Sequence, residues 1–491
     1  MSMSSWRHAG IACAAWLTVM AGLSGCTVGP DYHGAPDVAH GAAQASAFVR
    51  TPAAGVTQVG HAPSRWWESL DDPTLNALIA AALKNNPDLH AAQARLRQSR
   101  AQLQQQRAAE MPKVSADAAA VRMREPDLSS LQTSQQASGS PSSSGRGPLQ
   151  FYSAGFDASW EIDVFGGTRR AIEAASAQAQ AVDADLADTQ VSLAAEVAQA
   201  YIELRSQQQR LQLADQSAQL EQQTLDLIRQ QRERGVVTDA DVERQTTQVE
   251  NTRATLIPLD EQITESLDQL AVLTGQAPGA LDRELATPAA LPAMPSSVPV
   301  DDPAAVLKRR PDIRAAERRL AASSAQIGQH EADLFPKVTM LGFIGSNAAD
   351  PGHLLHKSAF TWLGVPYLQW DVLDFGRTRG AIRQAEAGRD EAAARYTQTV
   401  LAALQDANNA LSRYGHQRDS VARLQQIEAS ADRSAKLMRQ RYEAGASSLI
   451  DLLDTQRVQF SAQQNLVQGR AELLKDFVSL QKSLGLGWIA E

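Results

Sequence analysis

Residues placed for chemistry are sparse in these 491 positions, and the clearest of them is a cysteine. Leu23-Ser-Gly-Cys26 matches a bacterial lipobox, which would make Cys26 the acylated first residue of the mature chain, carrying covalent lipid. Ahead of it Arg7 and His8 form a short charged region and Gly10–Met20 an apolar one, the plan of a signal peptide over residues 1–25. That apolar run is too short to span a bilayer as a helix. Lipid on one residue anchors a chain without spanning anything. Thr27, not Asp, follows Cys26, which favours the outer membrane over inner-membrane retention. Cys13 leaves with the signal, so disulfide and cysteine–metal chemistry are closed. His353-x-x-His356 has the spacing of half a metal site, but Asp350 is the one acid nearby, and residues 348–357 read as an exposed loop. Phe165-Gly-Gly-Thr168 lacks the Gly-x-x-x-x-Gly-Lys pattern of a phosphate loop. With no Ser/His/Asp order and no paired carboxylates that a cleft would hold, the sequence offers no catalytic constellation and no metal site, and does not read as an enzyme. A net charge of −9 gives no basic footprint for nucleic acid.

The elements that carry these residues come in two copies. Trp160-Glu-Ile-Asp-Val-Phe-Gly-Gly-Thr-Arg-Arg-Ala-Ile172 returns, without a gap, as Trp370-Asp-Val-Leu-Asp-Phe-Gly-Arg-Thr-Arg-Gly-Ala-Ile382, 210 positions later. Gly235, Asp241 and Gly275 recur at the same separation as Gly445, Asp451 and Gly485. Upstream, Pro87-Asp-Leu-His matches Pro311-Asp-Ile-Arg, and Met-Pro112-Lys-Val matches Phe-Pro336-Lys-Val, both 224 apart. The difference of 14 places an insertion between Pro112 and Trp160, most simply the Ser/Gly/Gln-rich run Ser129–Pro148. The organisation read from this is a signal peptide (1–25), an extended N-terminal segment (26–64), a first repeat (65–276), a Pro-rich linker (277–303) and a second repeat (304–491).

Within each repeat the pattern predicts helix, strand, loop, strand, long helix, turn, long helix. Helices are expected over Pro73–Lys84 and Pro87–Glu110, and strands over Ser115–Met123, Phe151–Ile162, Val338–Ser346 and Phe360–Trp370. On the second strand Tyr152, Ala154, Phe156, Ala158 and Trp160 share one face, while Ser153, Asp157 and Ser159 share the other; Trp362, Leu368 and Trp370 mark the equivalent apolar face later. About ten residues with one apolar, aromatic-ended face suit a transmembrane barrel strand. Spanning a bilayer without an apolar helix requires a closed barrel, and four strands cannot close one, so several chains must contribute. Val242, Val249, Leu256, Ile263 and Leu270 recur every seven residues, echoed by Leu452, Leu466, Leu473 and Leu480, with Leu186, Leu193, Val197, Leu204 and Leu211 on the outgoing limb. Such seams mean helices packed lengthwise and supercoiled. The run Thr168–Arg234 would extend about 100 Å. Gly235 and Gly445 mark the turns between paired helices, and Pro258 should bend the first returning helix.

These residues resemble the TolC-type outer-membrane efflux factors, in particular their lipoprotein (OprM/NodT-like) branch. The matching motifs are Leu-Ser-Gly-Cys26 with Gly29-Pro-Asp-Tyr32, Trp66-Trp67, Asn86-Pro-Asp-Leu89, Arg310-Pro-Asp-Ile313, Phe335-Pro336, Trp370 through Gly376, Tyr442-x-x-Gly445 and Leu453-Asp-x-x-Arg457. Together they cover nearly all of the mature chain. The resemblance implies a mostly α chain with an internal tandem repeat. It further implies a homotrimer, in which a twelve-stranded outer-membrane β-barrel continues as a long periplasmic α-helical barrel. It implies a passive exit duct that docks through a periplasmic adaptor to an inner-membrane pump and closes where the helices turn back. By position, Ile450 and Asp454 look like the family's constriction residues, Asp451 matches an acidic ring position, and Arg457 lies one turn beyond Asp454. Tyr442 matches a position that latches neighbouring helix pairs, with Asp241 as its expected partner; Arg232 and Ser447 depart from the latch pattern of relatives. A duct for type I protein secretion and a structural, non-channel coiled-coil lipoprotein stand as alternatives.

Overall fold

The computed structural model describes residues 27–43, 45–58, 63–123 and 149–488. The signal segment, Cys26 and the insertion Ser129–Pro148 lie outside the described residues. The chain divides into two compact units, one of 1–34, 98–179 and 319–392, the other of 35–97, 180–318 and 393–491. Among the described residues no helix is long and apolar enough to cross a membrane.

The first unit holds a four-stranded antiparallel sheet: β1 (Lys113–Met123), β2 (Leu149–Ile162), β3 (Lys337–Ala348) and β4 (Phe360–Gln369), in the order β1-β2-β3-β4. Expected and observed strand bounds agree within two residues. The two hairpins share one register: Lys113 opposes Ser159 in β1–β2, and Lys337 opposes Gln369 in β3–β4, which the repeat offsets interconvert. Each is also pinned at its foot in the same way, the Trp160 indole N–H donating to the Glu110 carbonyl at 2.9 Å and the Trp370 indole N–H to the Leu334 carbonyl at 3.0 Å. Directly opposed residues share a face, so the register lines up Ala116, Phe156, Ile344 and Trp362 on the apolar side. Asp117, Gly155, Gly345 and Thr361 line up on the other. The alternation seen in the sequence therefore carries across all four strands.

The same unit seats the N-terminal segment. Arg170, its side chain 4% exposed, donates to the Val28 and Gly29 carbonyls and to Asp31, with Glu173 on its other side. Gly29 crosses so close to Gly328 that a Cβ on Gly29 would lie 2.3 Å from the Gly328 Cα. Tyr32 packs on Ala177, Ala321 and Ala322.

The second unit is built on helices, four of which also give residues 98–108, 167–179, 319–332 and 377–392 to the first. α1 (Pro73–Asn85) is capped by Asp72, whose Oδ1 accepts from the Thr74 and Leu75 N–H groups while its Oδ2 accepts from the buried Tyr201 hydroxyl at 2.9 Å. α2 (Pro87–Ala108) follows. α3 (Gly167–Glu233) and its copy α8 (Arg377–Glu443) are each 67 residues long, about 100 Å at 1.5 Å per residue. α3 turns back as α4 (Asp239–Ala254) and α5 (Leu256–Leu273); α8 turns back as α9 (Leu449–Ser483), and α6 (Pro303–Arg309) and α7 (Pro311–Ala332) open the second repeat. Trp66, packed edge-on to Phe477 at 5.9 Å, centres a core with Leu70, Ile79, Tyr201 and Leu480.

Two sequence expectations are sharpened here. The returning helix breaks at Thr255, three residues before Pro258: a proline fits the first turn of a new helix, where no N–H is needed, and not the middle of an old one. The apolar heptad is also only half of the packed face. Gln245, Thr252, Leu259 and Ser266 are buried at seven-residue spacing, and three of them are polar. Their copies on α9 include the buried Ala462, Gly469 and Asp476.

Candidate gate at the helical turns

Four helices end with the same device. Gly235, Gly275, Gly445 and Gly485 all take left-handed backbone, at φ of +71° to +74°. At the first turn the Gly235 N–H donates to the Arg232 carbonyl and the Val236 N–H to the Gln231 carbonyl; at the second, Gly445 donates to Tyr442 and Ala446 to Arg441. This pattern satisfies the orphan carbonyls of a helix end and lets the chain reverse.

The helices then restart from matched capping boxes. Thr238 Oγ1 accepts from the Asp241 N–H, and the Asp241 carboxylate accepts from the Thr238 N–H at 3.0 Å and its hydroxyl at 2.7 Å. Ser448 and Asp451 do the same, at 3.2 and 2.7 Å. Hydrogen bonds to Thr238 and Ser448 hold Asp241 and Asp451 below the usual carboxylate range. The Ser/Thr-x-x-Asp spacing was present in the sequence as a helix-start signal, although Asp241 and Asp451 drew attention there as latch and ring residues.

The other candidate gate residues lie on the first turns of α9. Ile450 is 53% exposed. Arg457 reaches back to Asp454 at 2.7 Å, both side chains mostly exposed. Leu449 and Leu452 point the opposite way and are buried, so the helix offers Ile450 and Asp454 outward while holding itself by its leucines.

The structure does not bring Tyr442 and Asp241 together within the chain. The Tyr442 hydroxyl donates to the Gln231 side-chain carbonyl at 3.4 Å, and the Asp241 carboxylate is taken by Thr238 and by Arg244 at 3.5 Å. Arg232, which replaces a tyrosine of the pattern, makes a two-toothed contact with Asp239 at 2.5 and 2.8 Å. Among the described residues the Ser447 hydroxyl is buried without a partner. Higher on the first hairpin lies a polar cluster that apolar periodicity could not reveal. The buried Glu221 accepts from the Gln248 amide at 3.1 Å, and the Gln245 amide donates to the Glu221 backbone carbonyl at 2.8 Å. Burial pushes the Glu221 carboxyl up. The second hairpin has Ala431 and Ala462 in place of Glu221 and Thr252.

Known proteins share this plan. The family described as outer membrane efflux protein matches residues 78–276 and 303–486. The antibiotic efflux pump outer membrane protein ArpC of Pseudomonas putida is 32% identical, over 95% of this chain and 93% of its own. Nodulation protein T of Rhizobium leguminosarum bv. trifolii is 30% identical, over 95% of both. The structure of the outer-membrane channel OprN superposes with a TM-score of 0.81 at 35% identity, covering 94% of this chain and all of that one. Repeat, sheet and helical turns thus agree with the sequence match, and the chain belongs to the outer membrane efflux protein family, an outer-membrane efflux component with the fold of the outer-membrane channels.

Proposed function

We infer that three copies of this chain form the passive exit duct of a tripartite efflux system, with a periplasmic adaptor and an inner-membrane pump as its partners. Each copy gives four strands to a twelve-stranded barrel and its long helices to a periplasmic wall. The observation that carries this reading is the sheet itself: one face apolar on all four strands, and, among the described residues, both outer strands with unpaired edges. Such edges cannot stand in hydrocarbon, so only closure with further copies satisfies them. Covalent lipid on Cys26 adds an anchor. The pump supplies energy and most of the selectivity; the duct takes no catalytic part. Small drug-like and organic compounds are the cargo, by analogy with relatives named for antibiotic and toluene efflux.

The gate is assigned to the starts of α9, where threefold symmetry gathers Ile450, Asp451, Asp454 and Arg457 around the axis, with Gly235 and Gly445 at the turns and Tyr442 near its latch. An acidic ring attracts cations. Conductance of the purified protein in planar bilayers tests the whole. Small, cation-selective currents that change in Asp454→Asn are expected; currents unaltered by that substitution remove the gate assignment, and a protein that never conducts removes the duct.

A further inference from the structure

The loop that joins β3 to β4 lies at the end of the sheet away from the tryptophan-pinned feet, and it carries His353-x-x-His356. Of the chain's nine histidines these two stand closest together in sequence. Residues 124–148, which join the equivalent strands of the first repeat, contain none. The duct reading leaves this pair without a role.

The loop is a run of tight turns. The N–H groups of His353, His356 and Ala359 each donate to the carbonyl three positions back, on Asp350, His353 and His356, at 3.1, 3.0 and 3.0 Å. Side chains three apart on such 3₁₀ turns eclipse, so both imidazoles are thrown to one edge. Pro351 opens the first turn, and the Asp350 carboxylate fixes it by accepting from the Gly352 N–H at 2.8 Å. The two rings meet with centroids 4.9 Å apart and planes tilted by 55°, and both residues are exposed. Stacked rings lie closer to parallel, as Phe165 and Phe335 do at 16°.

The separation matches a shared ion. An imidazole nitrogen binds a transition ion at about 2.0–2.1 Å, which puts the ring centroid about 3.2 Å from it. Two centroids 4.9 Å apart then subtend about 100° at the ion, between the roughly 90° of square or octahedral sites and the roughly 109° of tetrahedral ones.

We propose that His353 and His356 together bind one divalent transition-metal ion, with Cu²⁺ held more tightly than Ni²⁺ or Zn²⁺. Imidazole suits these ions, and Cu²⁺ tops their affinity order; Mg²⁺ and Ca²⁺ prefer oxygen ligands. Among the described residues no third His, Cys, Asp or Glu completes a ligand set, so water fills the other positions and the ion exchanges readily. The turn that aligns the rings is formed by the backbone itself, so binding has little left to order. The site lies within one copy and goes beyond the ring inferred above, on which it does not depend.

Calorimetric titration of the full chain, purified without a histidine tag, with Cu²⁺ tests the site. His353→Ala, His356→Ala and the double variant are titrated beside wild type. Wild type should show one ion per chain bound at least several-fold more tightly than in the double variant, and each single substitution should lose that binding as fully as the double. Mg²⁺ should give no such step. In unsubstituted protein, one equivalent of Cu²⁺ should slow carbethoxylation of His353 and His356 together by diethyl pyrocarbonate, read by peptide mass mapping, while the lone exposed His90 and His416 react as before. Equal affinity in wild type and the double variant overturns the proposal. So do two ions per loop, each lost with its own histidine, or carbethoxylation of the pair that Cu²⁺ does not slow.

Discussion

Asp454 and Arg457 form an ion pair at 2.7 Å across one turn of α9, with both side chains mostly in solvent. An exposed pair of this kind adds little to stability and is screened by salt. Its effect should therefore appear in permeation. In the proposed trimeric gate, Arg457→Ala would leave three Asp454 carboxylates unneutralised and should raise cation over anion selectivity, most clearly at low ionic strength. Asp454→Asn should lower it. Reversal potentials in salt gradients measure both, and thermal unfolding midpoints should barely move.

The capping boxes predict a different outcome one turn earlier. Ser448→Ala removes the acceptor for the Asp451 N–H and should destabilise the start of α9 by about 1 kcal/mol. Hydrogen exchange in 448–452 should quicken, while Ser448→Thr preserves the wild-type pattern. If Ser448→Ala leaves exchange there unchanged, the box has no part in holding the turn.

Asp476 predicts a pH dependence. Burial is the main cause that pushes it up to about 6, with Glu472 adding to the shift and Arg413 and Lys475 opposing it. A carboxyl raised above its unfolded value of 3.8 binds its proton more tightly when folded. Its favourable contribution is thus full in acid and is lost as pH rises through about 6. Asp476→Asn should be more stable than wild type near pH 7.5, by about 1–3 kcal/mol, and so unfold at a higher temperature. The two should converge near pH 4, which calorimetry at both pH values can check.

Arg170→Ala should free the N-terminal segment. Chymotryptic cleavage after Tyr32 is expected to accelerate several-fold in folded protein, since the bonds to Val28, Gly29 and Asp31 hold that stretch down. Arg170→Lys, which cannot make the forked contact, should fall between.

Much of this was legible in the sequence, for physical reasons. The strands showed because an apolar face against a polar one has period two; Phe156 and Trp160 declared it, and the register carried it to Ile344 and Trp362. The helical turns showed because Gly235 and Gly445 meet a backbone requirement that few other residues meet. What stayed hidden was polar or distant. Gln245, Thr252 and Ser266 occupy a packed seam that a search for apolar periodicity passes over. Tyr442 turned to Gln231 rather than Asp241 because a capping carboxylate is already occupied by its own helix. Arg170 carried no signal of its own, because beside the local Glu173 its other partners, Val28, Gly29 and Asp31, lie 139 to 142 positions away.

That arginine also tells the two halves apart. The position equivalent to Arg170 in the second repeat is Gly380, and the position equivalent to Gly328 in the first is Gln104. The seat for the N-terminal segment therefore needs one residue from each repeat, and each has only its own. A chain assembled from two copies of either half would keep the sheet and the helical turns but have no place to fasten its leading end. The shared repeat accounts for the sheet and the helical turns, and these two positions give the halves different parts in holding the leading end.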